Sequence, residues 1–148
     1  MREYSHTQIG YIHVISYSAV ILFLACLNIF TEFEPFTLIP LIVMLILLAL
    51  FSTLTVRVGG GVITVQFGVG IIRKRMQLSD VESCTKVRNP WYYGLGIRYT
   101  PRGWLYNIYG LSAIELLMRN GKSCRIGTDD PEGLAKALGA ALDEAGAR

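Results

Sequence analysis

Acid–base or nucleophilic chemistry in a chain of 148 residues would need a histidine, an activated cysteine or paired carboxylates within reach of one another. The only histidines are His6 and His13, one just before and one inside a long apolar run. From residue 57 onward there is none, so no Ser–His–Asp set can assemble there. Asp129 and Asp130 are adjacent, but they precede Pro131 and Glu132, which is how a helix begins rather than how a catalytic pair is built. Asn120-Gly121-Lys122-Ser123 ends like a phosphate-binding loop, yet Leu116 stands where that motif needs its first glycine. The pair Gly94 and Gly96 carries no phosphate-binding signal of its own. Cys26, Cys84 and Cys124 are odd in number and lack a Cys-x-x-Cys spacing, so neither a disulfide framework nor a zinc site is expected. They read as small apolar residues in a reducing compartment. The expectation is a protein that is not an enzyme, with no catalytic, cofactor or metal residues.

Recognition chemistry is better supplied. Arg73, Lys74 and Arg75 are consecutive, and Lys86, Arg88, Arg98 and Arg102 fall on neighbouring strand-like segments. Beside a membrane such cations meet anionic headgroups, at about 1 kcal/mol each. An ordinary solvated strand face would account for them equally well. Trp91, Tyr92, Tyr93 and Trp104, with Tyr99, Tyr106 and Tyr109, form an aromatic-rich stretch suited to headgroup depth or to core packing. A sequence pI near 8.8 is modest, and no nucleic acid partner is expected.

These residues must be positioned by the elements around them, and charge divides the chain in two. Residues 9–56 contain only Glu32 and Glu34, whereas residues 57–148 hold 13 basic and 8 acidic side chains. Two uncharged runs, 11–30 and 36–55, are each about as long as a helix needs to be to cross a hydrocarbon core. TEFEP joins them, and Pro35 fits the first position of a second helix. Residues 1–56 therefore read as a transmembrane hairpin. No cleavage-site pattern follows the first run, and Leu24-Ala25-Cys26 only loosely resembles a lipidation site. The turn carries two carboxylates and no base, while Arg57 and Arg73–Arg75 follow the second span and Arg2 precedes the first. The positive-inside rule then predicts a multi-pass protein of the cell inner membrane with both termini cytoplasmic. His13, Tyr17 and Asn28 are expected to anchor the first span at the interface or to hydrogen-bond between the helices.

After residue 53 the apolar period becomes two, which signals strands near 54–58, 63–67, 72–78, 81–87, 97–99, 104–108, 114–119 and 123–127. Asn120-Gly121 predicts a type I′ hairpin turn. Leu134, Leu138 and Leu142 make one apolar stripe on a final helix capped by Asp130. Residues 57–148 read as about seven antiparallel strands bent into an open barrel, with one C-terminal helix over its uncovered end.

That order resembles the pleckstrin-homology superfold. GIRYTPRGWLYNIYG followed by AIELLMRNGKSCRIGTDDPEGLAKAL is similar to bacterial pleckstrin-homology-like membrane proteins, in which a transmembrane hairpin commonly precedes the domain. The resemblance spans about residues 10–145 and is most specific over 96–134. It implies fold and membrane location more than activity. Pleckstrin-homology domains that bind phosphoinositides carry a K-x-R type motif around their first hairpin. Residues 55–66 here contain only Arg57, so inositol phosphate binding is not expected there. The functional expectation is a membrane-anchored binding or scaffolding module working through protein partners or as a homo-oligomer. An anionic-lipid sensor, or an accessory subunit of a transporter or membrane enzyme, is the alternative.

Overall fold

The computed structural model describes residues 3–146; Arg2 lies outside them. Helix α1, Tyr11–Phe30, is long and apolar enough to cross a membrane. Helix α2, Pro35–Phe51, is apolar but shorter; its 17 residues span about 26 Å at ~1.5 Å each. It begins at Pro35 as expected and continues through Pro40. It stops four residues before the predicted end of the span because Thr53 and Thr55 belong to a strand. The two helices pack against each other, and Asn28 joins them near the turn. Its Nδ2 donates to the carbonyls of Leu24 (2.8 Å) and Thr37 (3.0 Å), and Thr37 Oγ1 donates to Asn28 Oδ1 (3.1 Å). A buried amide whose partners are all local is inter-helix glue, not a conduction path.

The hairpin grows directly out of a sheet. Strand β1, Tyr4–Ile9, pairs antiparallel with β2, Thr53–Gly59, with Tyr4 opposite Val58 and Ile9 opposite Thr53. Gly10 N donates to Ser52 O at 2.8 Å, so the pairing runs to the foot of both helices. In effect α1 and α2 replace the turn of a β-hairpin. The strand was not expected, because residues 4–9 lack an apolar alternation. Its inward row is polar, and each member has a partner in the stretch 127–130 that leads into the last helix: Tyr4 O–H donates to Asp130 Oδ2 (3.1 Å), His6 Nε2 pairs with Asp129 Oδ1 (2.6 Å) and Gln8 Nε2 donates to Gly127 O (2.7 Å). Residues 4–9, read from sequence as part of the membrane segment, thus belong to the β domain.

Strands β3 (Val62–Phe67) and β4 (Ile72–Gln77) complete the first sheet in the order β1-β2-β3-β4. The second sheet contains β5 (Val81–Arg88), β6 (Gly96–Thr100), β7 (Gly103–Asn107), β8 (Ser112–Met118) and β9 (Ser123–Gly127), in the order β5-β8-β9-β7-β6. This corrects the sequence expectation. Among the described residues nine strands in two sheets replace an open, all-antiparallel barrel of about seven, and β9 lies parallel to β7. The cause is topological: β9 folds back from β8 and takes the place between β8 and β7. The β8–β9 hairpin forms where Asn120-Gly121 predicted it, but with a different turn. Only Gly121 has positive φ (+81°), while Asn120 Oδ1 accepts from Lys122 N at 3.0 Å. A type I′ turn needs positive φ at both central residues.

The core lies between the sheets. Leu54, Val56, Val58, Ile63, Val65 and Phe67 face Tyr106, Ile108, Ile114, Leu116 and Ile126, and helix α3 (Pro131–Gly146) adds Leu134 and Leu138. Each fully buried aliphatic side chain contributes about 1.5–3 kcal/mol. Asp130 caps α3 as expected, its Oδ1 accepting from Gly133 N at 3.0 Å.

Candidate functional site

The two sheets have two flanks, and only one is covered. On the β1/β5 side α3 packs over β5, β8 and β2, and Lys86 Nζ meets Glu132 Oε1 at 2.6 Å. Lys86 is thereby committed to the β5–α3 junction. On the other side the terminal strands are β4 and β6, which do not pair with each other. Beside the β4 edge part of the second sheet's inner face is open, since Trp104, Tyr106 and Cys124 line one groove with Lys74 and Gln77. Register places Tyr99 and Trp104 there, in line with the buried Tyr106 and Cys124. Their rings meet edge to face with centroids 5.4 Å apart.

A groove of about 440 Å³ runs along this flank. Lys74, Arg75 and Gln77 line one wall, Trp104, Tyr106 and Cys124 the floor, and Arg119 and Lys122 of the β8–β9 hairpin the far end. Three cations, Lys74, Arg119 and Lys122, face a single carboxylate, Asp80, while Arg75, on the outward side of β4 with Arg73, borders the rim. Lys74 owes its position to register: it lies opposite buried Val65, on the inward side of an edge strand, so its ammonium reaches over the groove instead of away from it. Arg119 is fixed by Nε donating to Ser79 O at 2.8 Å. A second, larger cleft of about 890 Å³ lies between α3 and the β2–β3 turn. It is lined by small residues such as Ala137 and Ala141, and its rim mixes Lys136 with Glu3 and Glu144, so it offers no charge preference.

The groove can bind but has little with which to react. Burial pushes the Cys124 thiol up to about 11, and its Sγ–H points at Met76 Sδ, 3.6 Å away. Burial also raises Cys84 and Tyr106. Among the described residues no group of three His, Cys, Asp or Glu side chains could hold a metal ion. The Cys124 shift has a testable sign. Below about pH 9 the thiol is neutral folded and unfolded; between about pH 9 and 11 only the unfolded chain ionises, so stability falls by roughly 2–3 kcal/mol over that window. Thermal melts of detergent-solubilised wild type and Cys124→Ala at about pH 8 and 10.5 should show a smaller alkaline loss in the variant, whatever its stability at pH 8. Parallel losses would assign the effect elsewhere.

The remaining sequence-predicted residues are dispersed. Arg73 projects from the outer side of β4, one residue out of phase with Lys74, with Nη2 3.3 Å from Gly70 O. Arg88 is exposed at the end of β5, and Arg98 Nε is turned back to Leu95 O at 2.9 Å. Arg102 sits in the β6–β7 turn, where its carbonyl accepts from the Ser123 hydroxyl. Trp91 and Tyr92 are exposed in the segment joining β5 to β6, far in sequence from the groove residues. Tyr93 lies instead under the guanidinium of Arg125, 5.8 Å from its ring centroid. So the groove unites Lys74, Arg75 and Trp104 and adds Arg119 and Lys122, which the sequence reading had left as hairpin residues. Comparison with family models, with curated proteins and with solved structures finds no match for the chain.

Proposed function

We propose that the protein is a membrane-anchored, non-catalytic binding module whose open cationic flank takes an extended acidic segment of a partner protein. The observation that carries this is the groove itself: three cations and a fourth at the rim against one carboxylate, beside a strand edge with no neighbour and an uncovered tryptophan. An edge strand can accept another strand, and side chains along it select which one. Arg73, Lys74 and Arg75 would repel a second copy of β4, and an inward lysine on an edge is a known guard against self-pairing. A heterologous acidic segment therefore suits the groove better than self-association.

The hairpin is proposed to span the inner membrane twice, with TEFEP outside and the β domain cytoplasmic. Two observations support this. α1 and α2 both present apolar surface around most of their circumference. The β1–β2 ladder brings both ends of the hairpin to one side. A pleckstrin-homology-like lineage belongs to the same proposal. Two packed sheets with a C-terminal helix over one flank support it, and the parallel β7–β9 pair departs from it.

Affinity capture from a mild-detergent extract, read by cross-linking mass spectrometry, tests the reading. Partners should cross-link to Lys74 or Lys122 through a carboxylate-rich segment. Lys74→Glu/Arg75→Glu/Lys122→Glu should cut their recovery by about tenfold or more, since each reversal costs around 0.5–1 kcal/mol. A strict monomer without partners, or recovery insensitive to the triple reversal, would overturn it. Anionic lipid sensing is favoured by one separate observation: Arg73 lies one residue beyond Ile72, at the end of β4 nearest the helices. If that reading is right, Arg73→Glu weakens binding to phosphatidylglycerol vesicles while partner capture stays intact. Recovery of a transporter or membrane enzyme as the main partner would make the chain its accessory subunit.

A further inference from the structure

The helical hairpin does not end at the surface of the β domain; the domain reaches up beside it. In the β3–β4 turn Val69 N donates to Ala49 O at 3.3 Å, capping a carbonyl of the last turn of α2. The approach is so close that a Cβ at Gly68 (φ +47°) would sit 2.0 Å from the same oxygen. The turn is thus held about 3 Å up the helix from Phe51, at ~1.5 Å per residue. Its two large side chains point into open space, Val69 67% and Ile71 78% exposed.

A second loop system stands at the same end. After β7, Ile108 packs on Gly10, and Tyr109 meets Tyr11, the first residue of α1, with ring centroids 5.8 Å apart. Asn89 N donates to the neighbouring Leu111 O at 2.7 Å, so the segment from β5 to β6 passes along this same end. That segment carries Trp91, 81% exposed, and Tyr92. Apolar side chains this exposed are costly in water but suit the headgroup boundary.

The lengths agree. α2 spans about 26 Å, short of a ~30 Å hydrocarbon core, and strand β2 starts two residues after it with no spacer. A bilayer that covers the hairpin must then extend about 4 Å further, onto Val69 and Ile71.

We infer that the β domain is itself a bilayer-docking unit, whose β3–β4 turn and β5–β6 crossover insert Val69, Ile71, Trp91 and Tyr92 into the cytoplasmic headgroup region. This rests on the spanning hairpin proposed above. The domain is then locked to the membrane in one orientation, with the groove opening along its side. Trp104, the only other tryptophan, lies four residues before Ile108 along β7, about 13 Å further from the bilayer at ~3.3 Å per residue.

The two tryptophans supply the test. The full chain is reconstituted into phosphatidylcholine–phosphatidylglycerol vesicles in which part of the lipid is brominated on the acyl carbons nearest the headgroup. Trp104→Phe, which keeps Trp91, should have blue-shifted emission and lose most of it to bromine. Trp91→Phe, which keeps Trp104, should be little quenched. Ile71→Trp in a Trp91→Phe/Trp104→Phe background should be quenched like Trp91. If the chain resists alkaline carbonate extraction yet neither Trp91 nor the indole introduced by Ile71→Trp is quenched more than Trp104, the docking inference falls and the hairpin survives. If carbonate releases the chain, the hairpin reading falls and takes the inference with it.

Discussion

Replacing residues 11–51 with Asn-Gly should convert this chain into a soluble β domain that unfolds cooperatively, whereas a chain beginning at Thr53 should aggregate. Gly10 N donates to Ser52 O, so Gly10 and Ser52 are the hydrogen-bonded pair that a two-residue type I′ turn closes. The splice therefore keeps β1 while deleting both helices. Truncation at Thr53 removes β1 and exposes the edge of β2, whose Leu54, Val56 and Val58 are core residues. It also strips Asp129, Asp130 and Gly127 O of their His6, Tyr4 and Gln8 partners. About six ladder bonds and three side-chain bonds, at about 0.5–1.5 kcal/mol per hydrogen bond, total roughly 5–13 kcal/mol. That is comparable with the whole stability of a small domain, about 5–15 kcal/mol. Soluble yield and melting temperature of the two chains decide the matter. Equal behaviour would mean that β1 is dispensable. Changing Val69 and Ile71 to serine in the spliced chain should raise its solubility further without lowering its melting temperature.

Much of this architecture could be read from residues alone, and the parts that could not share a cause. Both helices, eight of the nine strands and α3 were legible because their apolar periods are strong: two in β2 and β3, and a leucine every fourth residue in α3. β1 was illegible because its inner face is stabilised by hydrogen bonds to residues more than a hundred positions away, so Tyr4, His6 and Gln8 carry no local apolar signal. Sheet order was hidden for a similar reason. Nothing local tells β9 to lie between β8 and β7, and that placement is what leaves β4 and β6 as facing, unpaired edges. Lys74, Arg75 and Trp104 were identified by type, but their convergence depends on that open flank. Arg119 and Lys122 join them only through the fold. Trp91 and Tyr92 were identified by type and prove to be exposed, while Val69 and Ile71, in a glycine-punctuated turn, gave no sign of their place beside α2.

Arg125 is the residue whose loss should cost the β domain most, and local alternation would have placed it on a solvent-facing side. It lies on the outer face of β9, the central strand of the second sheet, yet is only 8% exposed. The crossover from β5 to β6 covers it. Its Nε donates to Glu115 Oε2 at 2.5 Å, its Nη1 to buried Asn89 Oδ1 at 3.0 Å, and Tyr93 lies beneath its guanidinium. Arg125→Ala leaves a half-buried carboxylate and a buried amide without partners and should destabilise the domain by about 3–5 kcal/mol. Arg125→Lys should recover little, because one ammonium cannot serve both acceptors in the geometry of the guanidinium fork. Arg125→Met with Glu115→Leu removes both charges and should recover much of the loss, short of wild type by about 1–3 kcal/mol for the Asn89 amide left without a partner. The crossover would still have lost its tie through Asn89 and Tyr93, so chymotrypsin should cut the double variant faster at Trp91–Tyr93 than it cuts wild type. A double variant that recovers to this extent but gains no cleavage there would show that the crossover is held by its own packing. An Arg125→Ala chain as stable as wild type would show that the pair is merely a surface contact. The expected pattern makes one buried arginine both a joint of the sheet and the tether of the loop that carries Trp91.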